Sequence, residues 1–138
     1  MSDIVYIALG SNLGNRAAML EEGRRGIAAL EHTRILAATE AEETEPLGDV
    51  LQGKFLNQMI AVSTGLEPRT LLAALHRVEH DAGRVRREKW GPRTLDLDIV
   101  MIEGSDYHDD VLTVPHPELP NRDFWLRHLQ ELRGRTDG

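Results

Sequence analysis

At 138 residues, with 41% hydrophobic and 28% charged side chains, the chain has the length and composition of a single globular domain and not of a disordered segment. Its formal net charge of -7 argues against non-specific binding to nucleic acid or anionic membrane, both of which need positive surface. The absence of cysteine excludes disulfides and thiolate metal sites. No segment approaches the roughly 20 apolar residues of a membrane span, and Met1 to Tyr6 has no basic, apolar leader, so a cytoplasmic protein is expected.

The run Ile4 to Leu9 is short, apolar and partly β-branched, and Gly10-Ser11-Asn12 ends it, the pattern of a buried strand. Asn15 suits a helix N-cap, and Leu20, Gly23, Ile27 and Leu30 recur at helical spacing, which predicts a helix over 16–31. Thr33 to Glu43 returns to extended character, with alternation interrupted at Ala37-Ala38. Thr44-Glu45-Pro46-Leu47-Gly48-Asp49 is rich in turn residues, and Phe55 to Thr64 reads as a third strand ending at Gly65. Pro68 fits a first helical turn, and Leu71, Leu75 and Val78 at i, i+4 and i+7 predict a second helix to about Ala82.

Beyond it, Gly83 to Arg93 carries five cations, Arg84, Arg86, Arg87, Lys89 and Arg93, in a chain of opposite net charge. Gly83, Gly91 and Pro92 break regular structure, so this stretch is expected to be a loop lying over a ligand. Arginine offers bidentate donors to phosphate oxygens. The loop runs into Leu95-Asp96-Leu97-Asp98-Ile99, a strand on which Asp96 and Asp98 share one face and the apolar residues the other. Same-face positions lie roughly 7 Å apart along a strand, so two such carboxylates can converge on one hard cation or straddle two about 4 Å apart.

The element order is therefore β-α-β-β-α-β, that of the ferredoxin-like split β-α-β motif. This predicts an α+β fold in one domain over 1–138: an antiparallel sheet with both helices on one face and the active site on the other. Val111 to Pro117 and a helical stretch from about Asn121 to Leu132 should cover part of that second face or an edge, leaving a short C-terminal tail.

Taken in order, Gly10-Ser11-Asn12, Thr44-x-Pro46-x-Gly48, Phe55-x-Asn57, Gly83-Arg84, Gly91-Pro92-Arg93-Thr94-Leu95-Asp96-Leu97-Asp98 and Pro115-His116-Pro117 resemble the 6-hydroxymethyl-7,8-dihydropterin pyrophosphokinase family, over about residues 4 to 129. The resemblance implies transfer of pyrophosphate from ATP to the pterin hydroxymethyl group, releasing AMP in folate biosynthesis, with two Mg²⁺. It implies that Asp96 and Asp98 hold the metal, and that Arg86 and Arg93 act with them in catalysis. ATP would meet Glu79, Arg84, Arg86, Trp90, Arg93, Ile99, His116 and Arg122. The pterin would meet Gly10, Thr44, Leu47, Phe55, Asn57, Trp90, Asp96 and Phe124. Arg84, placed at the helix exit, also has a structural reading as a cation at a helix C-terminus.

Transfer of this kind works by positioning and charge neutralisation, with no covalent intermediate; the general base stays open. A monomer acting on small molecules is expected, without nucleic-acid or membrane partners. The chain departs from longer family members after Leu132, where their C-terminal segment continues, and at Asp110-Val111, where some carry an arginine. Both departures bear on the nucleotide side. The rival readings are a non-catalytic homologue that binds ATP or pterin, and a ferredoxin-like RNA-binding module, the latter opposed by the net charge.

Overall fold

The computed structural model describes residues 3–12, 14–44, 54–90 and 95–136, apart from the side chains of 84–90 and 136. The order is β1 (Asp3–Ser11), α1 (Arg16–Ala28), β2 (Thr33–Ala38), β3 (Glu42–Thr44), β4 (Phe55–Thr64), α2 (Pro68–Trp90), β5 (Asp96–Ile102), β6 (Tyr107–His108), β7 (Thr113–Val114), a 3₁₀ turn at Leu119–Asn121, and α3 (Asp123–Thr136). Strands β2-β4-β1-β5 form an antiparallel sheet, and β3 pairs with β4 further along. Helices packed on an antiparallel sheet make this an α+β fold.

Local chemistry explains most boundaries. The Asn15 side chain accepts the Ala18 amide at 3.0 Å and starts α1. The extended stretch from Thr33 breaks at Thr39–Ala41, where three residues face only Gln58 and Met59 of β4; the Thr39 N–H still donates to the Met59 carbonyl at 2.9 Å, and side chains add to the pairing. The Thr39 hydroxyl accepts the Met59 N–H at 3.1 Å, and the Gln58 side-chain amide donates to the Thr39 carbonyl at 2.6 Å. What reads as one strand in the sequence is therefore two, β2 and β3, both laid along β4.

Helix α2 corrects a second expectation. It does not stop near Ala82 but continues to Trp90, so the cationic segment is helical where a loop was expected. One glycine costs a helix only about 1 kcal/mol, and the Arg, Glu and Lys residues after Gly83 are good helix formers. Arg84 accordingly sits inside α2 and not at its exit.

Alternation divides the core in two. Val5, Ile7 and Leu9 of β1, Ile60 and Val62 of β4, and Leu97 and Ile99 of β5 pack with Met19, Leu20 and Ile27 of α1 and Leu71, Leu75 and Val78 of α2. Tyr6, Ala8, Met59 and Ala61 pack with Trp125, Leu129 and Leu132 of α3. Each large side chain so buried contributes about 1.5–3 kcal/mol.

A bulge adjusts this pattern in β5. Tyr6 pairs with Met101 and Ile7 with Ile99, so Val100 is the extra residue, and Ile102 returns to the α1/α2 core. The Val100 carbonyl instead accepts the His116 N–H at 2.9 Å, tying the chain after β7 to the edge of the sheet.

Two carboxylates clamp α3 in place. Glu42 of β3 accepts two bonds from Arg127, at 3.0 and 2.8 Å, and pairs with His128 Nε2 at 2.9 Å. Glu103, just past β5, accepts Arg133 at 3.0 and 2.8 Å and the Tyr6 hydroxyl at 2.9 Å. Bidentate guanidinium-carboxylate pairs fix orientation as well as distance.

Candidate active site

The antiparallel register sets residues from four strands in one row. Asn57 of β4 pairs with Gly10 of β1 on one side and with Glu42 of β3 on the other, and Gly10 pairs with Asp96 of β5. In the next row Met59 pairs with Ala8, and Ala8 with Asp98. Gly10 and Ala8 are small, so the sheet is hollow between an amide wall and a carboxylate wall. The hollow is a cavity of about 280 Å³ lined by Ala8, Leu9, Gly10, Thr44, Phe55, Asn57, Asp96, Asp98, Arg122, Phe124 and Trp125.

Its chemistry is aromatic and amide on one side, anionic on the other. The Asn57 Nδ2 donates to the Thr44 hydroxyl at 2.5 Å, which fixes the amide and leaves Oδ1 as an acceptor facing Gly10. The aromatic rings of Phe55 and Phe124 flank the space. Such a site suits a flat, hydrogen-bonding ring.

A second hollow of about 720 Å³ lies between α2, β5 and the β6–β7 hairpin. Leu72, His76, Glu79, Ile99, His108, Asp109, Leu112 and His116 are among its walls, and so is Asp98. The hairpin is shaped by Asp109, whose Oδ1 accepts the Val111 and Leu112 amides at 2.8 and 2.9 Å. The two hollows thus meet at Asp98.

Around that junction the electrostatics are organised. Asp96 opens onto the cavity, yet the surrounding protein removes enough water to push its carboxyl above the usual range; the charge of Asp98 pushes it further and Arg122 pulls it back. Burial likewise raises Glu79, against the opposing bond from the Leu97 N–H to its Oε2 at 2.7 Å. His116 Nδ1 accepts the Glu118 N–H at 3.0 Å, so in the neutral ring the proton is on Nε2, 3.8 Å from Asp98 Oδ1. Arg122 lies over the Trp125 ring, 4.3 Å from its centroid.

The residues singled out from the sequence fall into two groups. Gly10, Thr44, Phe55, Asn57, Asp96, Asp98, Arg122 and Phe124 line the smaller cavity; Glu79, Asp98, Ile99 and His116 line the larger. Leu47 and Arg93 lie outside the described residues, as do the side chains of Arg84, Arg86 and Trp90 on α2. Sequence reading missed Ala8 and Trp125. The signals were present: two small residues at alternate positions of an otherwise bulky strand, and a tryptophan three residues after an arginine. Among the described residues no cluster of three metal-binding side chains occurs, so the carboxylate donors on β5 are the pair Asp96 and Asp98.

Comparison with known proteins agrees with this arrangement. Residues 6–134 match the family model of 7,8-dihydro-6-hydroxymethylpterin-pyrophosphokinase. The chain is 38% identical over 135 residues to the 2-amino-4-hydroxy-6-hydroxymethyldihydropteridine pyrophosphokinase of Bacillus subtilis, covering 96% of this chain and 79% of that protein. It is 39% identical to the protein of the same name from Methylorubrum extorquens, with 92% and 80% covered. For the one from Haemophilus influenzae the figures are 37%, 92% and 79%. With the match spanning every strand and helix that builds the two hollows, the chain belongs to the 7,8-dihydro-6-hydroxymethylpterin-pyrophosphokinase family.

Proposed function

We propose that the chain transfers the pyrophosphoryl group of ATP to the hydroxymethyl oxygen of 6-hydroxymethyl-7,8-dihydropterin, forming the pterin diphosphate and AMP for folate biosynthesis, on a ferredoxin-like domain. The observation that carries this reading is Asp98, which lines both hollows at once. An acceptor in one and a donor in the other would have their reacting groups beside a single carboxylate pair, and such proximity supplies much of a transfer rate.

In this reading the smaller cavity takes the pterin. Phe55 and Phe124 sandwich the ring, Asn57 and Thr44 meet its polar edge, and Gly10 leaves room for it; the family resemblance adds Leu47 to the pterin contacts. The larger hollow takes ATP against Glu79, Ile99 and His116, and Arg122 reaches the phosphates from the smaller cavity. Arg84, Arg86 and Arg93 clamp the phosphates, and Trp90 covers both ligands.

The pair Asp96 and Asp98 fits Mg²⁺. Two like charges close enough to raise one carboxyl are relieved by a hard cation, and oxygen donors supplemented by phosphate are what Mg²⁺ prefers. Asp96 and Asp98 would hold two ions, which when bound neutralise phosphate charge and favour loss of the hydroxyl proton. The chain's own residues then orient and exclude. Asn57, fixed by Thr44, sets the acceptor's position, and His116 donates from Nε2 to a phosphate oxygen. Arg122 adds charge at the junction, where fixed donors are worth most. The protein works as a cytoplasmic monomer on small molecules.

The test is AMP formation by folded protein supplied with MgATP and 6-hydroxymethyl-7,8-dihydropterin. Pterin-dependent AMP release is expected. Folded protein that releases none, or releases it without pterin, would overturn the assignment.

A further inference from the structure

Trp125 lies in the first turn of α3, 2% exposed, and its indole touches three parts of the site. It forms part of the smaller cavity's wall. The His116 ring meets it in a T-shaped contact, centroids 4.9 Å apart and planes at 85°. The Arg122 guanidinium carbon stands 4.3 Å from its centroid.

These neighbours belong to different hollows, Arg122 to the smaller and His116 to the larger. Arg122 Nε is buried without a hydrogen-bond partner among the described residues, so the indole face is what steers that part of the guanidinium. His116 is held by its backbone bond to Val100 and by the Glu118 amide on Nδ1, and the indole limits the swing of the ring that remains. A side chain that only filled core would be replaceable by any apolar group of similar volume. This one carries two directional contacts, each tied to its ring system.

We propose that Trp125 is a positioning residue for the transfer: its indole aims Arg122 and His116 at the phosphate chain from the two sides of the Asp96 and Asp98 pair. The inference rests on the pyrophosphokinase reading and names a residue that sets the geometry of that site. It acts through Arg122 and His116 and leaves contact with the phosphates to them.

The experiment compares W125L, W125F, R122A and the two double variants that combine R122A with each Trp125 change. The readouts are kcat and KM for MgATP at saturating pterin, with thermal melting of every protein. Loss of the aromatic face in W125L should lower kcat/KM for MgATP by about tenfold, and W125F, which keeps a weaker face, by about threefold. In the R122A background the tenfold loss of W125L should shrink to about threefold and the threefold loss of W125F to less than about twofold, since one of the two residues acted upon is gone and His116 remains. Full multiplicative losses there, or W125L within about twofold of wild type, overturn the proposal. If W125L melts below the assay temperature, the W125F cycle carries the same decision.

A substrate-free readout separates this proposal from the function it rests on. The three-bond couplings of the His116 signals, assigned with H116Q, report the side-chain rotamer free of ring-current effects; they should change toward rotamer averaging in W125L and stay near wild-type values in W125F, and couplings unchanged in W125L overturn the positioning role. Wild-type protein without AMP release instead overturns the pyrophosphokinase reading, whatever those signals do.

Discussion

Gly10 and Asn57 face each other across β1 and β4, and a Cβ built on Gly10 would stand 3.2 Å from Asn57 Oδ1. The amide cannot retreat freely, because its Nδ2 is bonded to the Thr44 hydroxyl and the residue is 8% exposed. The glycine is thus needed for the space it leaves open and for the direction in which the amide points.

Gly10→Ala should therefore raise the KM for pterin by about tenfold, the effect of a displaced amide that contributes about 1.4 kcal/mol. The KM for MgATP should stay within about twofold. Steady-state kinetics with each substrate varied in turn decides this. An equal rise in both constants would mean that the added methyl disturbs the sheet and not one cavity.

Asp98→Asn keeps the shape of β5 but removes the charge shared by the two hollows. Turnover should fall by at least 100-fold, in line with the roughly 3–4 kcal/mol carried by one well-placed electrostatic contact in a transition state. The charge of Asp98 also raises Asp96, so its removal should leave the melting temperature at neutral pH unchanged or higher. A variant that keeps near-normal turnover would end the assignment of metal to this pair.

Glu79 makes a pH-dependent prediction of definite sign. Burial lifts its carboxyl in the folded state, so it favours folding fully only below its unfolded pKa, and that contribution is lost as pH rises through the folded value. Glu79→Gln retains an oxygen for the Leu97 amide and never ionises. In urea unfolding it should be as stable as wild type or more so at pH 7, with the advantage gone near pH 4. An advantage that grows toward acid would contradict the assigned cause.

Glu42 and Glu103 behave in the opposite sense. Hydrogen bonds from Arg127 hold Glu42 below the usual glutamate range, and those from Arg133 do the same for Glu103. Their contribution is present above the unfolded pKa and lost as pH falls through the lowered folded value. Acid unfolding of wild type should therefore be flattened in E42Q and in E103Q, each measured as stability against pH from 6 downward. The charges are largely solvated, so the neutral-pH effect of each should be small.

At the back of the molecule, Gly26 of α1 meets Val78 of α2 so closely that a Cβ would lie 2.6 Å from Val78 Cγ1. Valine is stiff at χ1 and Val78 is buried, so the helices must move apart. Gly26→Ala should destabilise by about 1–3 kcal/mol in chemical denaturation, while kcat per folded molecule stays unchanged.

How much of this was legible in the chain can be judged element by element. The alternation of Leu95 to Ile99, the Asn15 cap, the bounds of β4 and the first turns of α2 are each fixed within a few residues of sequence, and local periodicity reported them. The break at Thr39–Ala41 depends on Gln58 and Met59, far away in the chain, so an extended run looked continuous. Gly83 predicts an end to α2, yet the residues after it favour helix and α2 continues to Trp90.

For the site, the sequence by itself determined which chemistry was carried: two carboxylates on one strand face, an amide, a histidine between prolines, and a supply of arginine. Those are properties of residue type and short spacing. Only the tertiary structure decided that Asn57, Gly10 and Asp96 form one row, that Asp98 borders two hollows, and that Trp125 joins Arg122 to His116. Cross-strand register and helix-on-sheet packing bring together residues that no local period relates, and the hollows exist only between such residues.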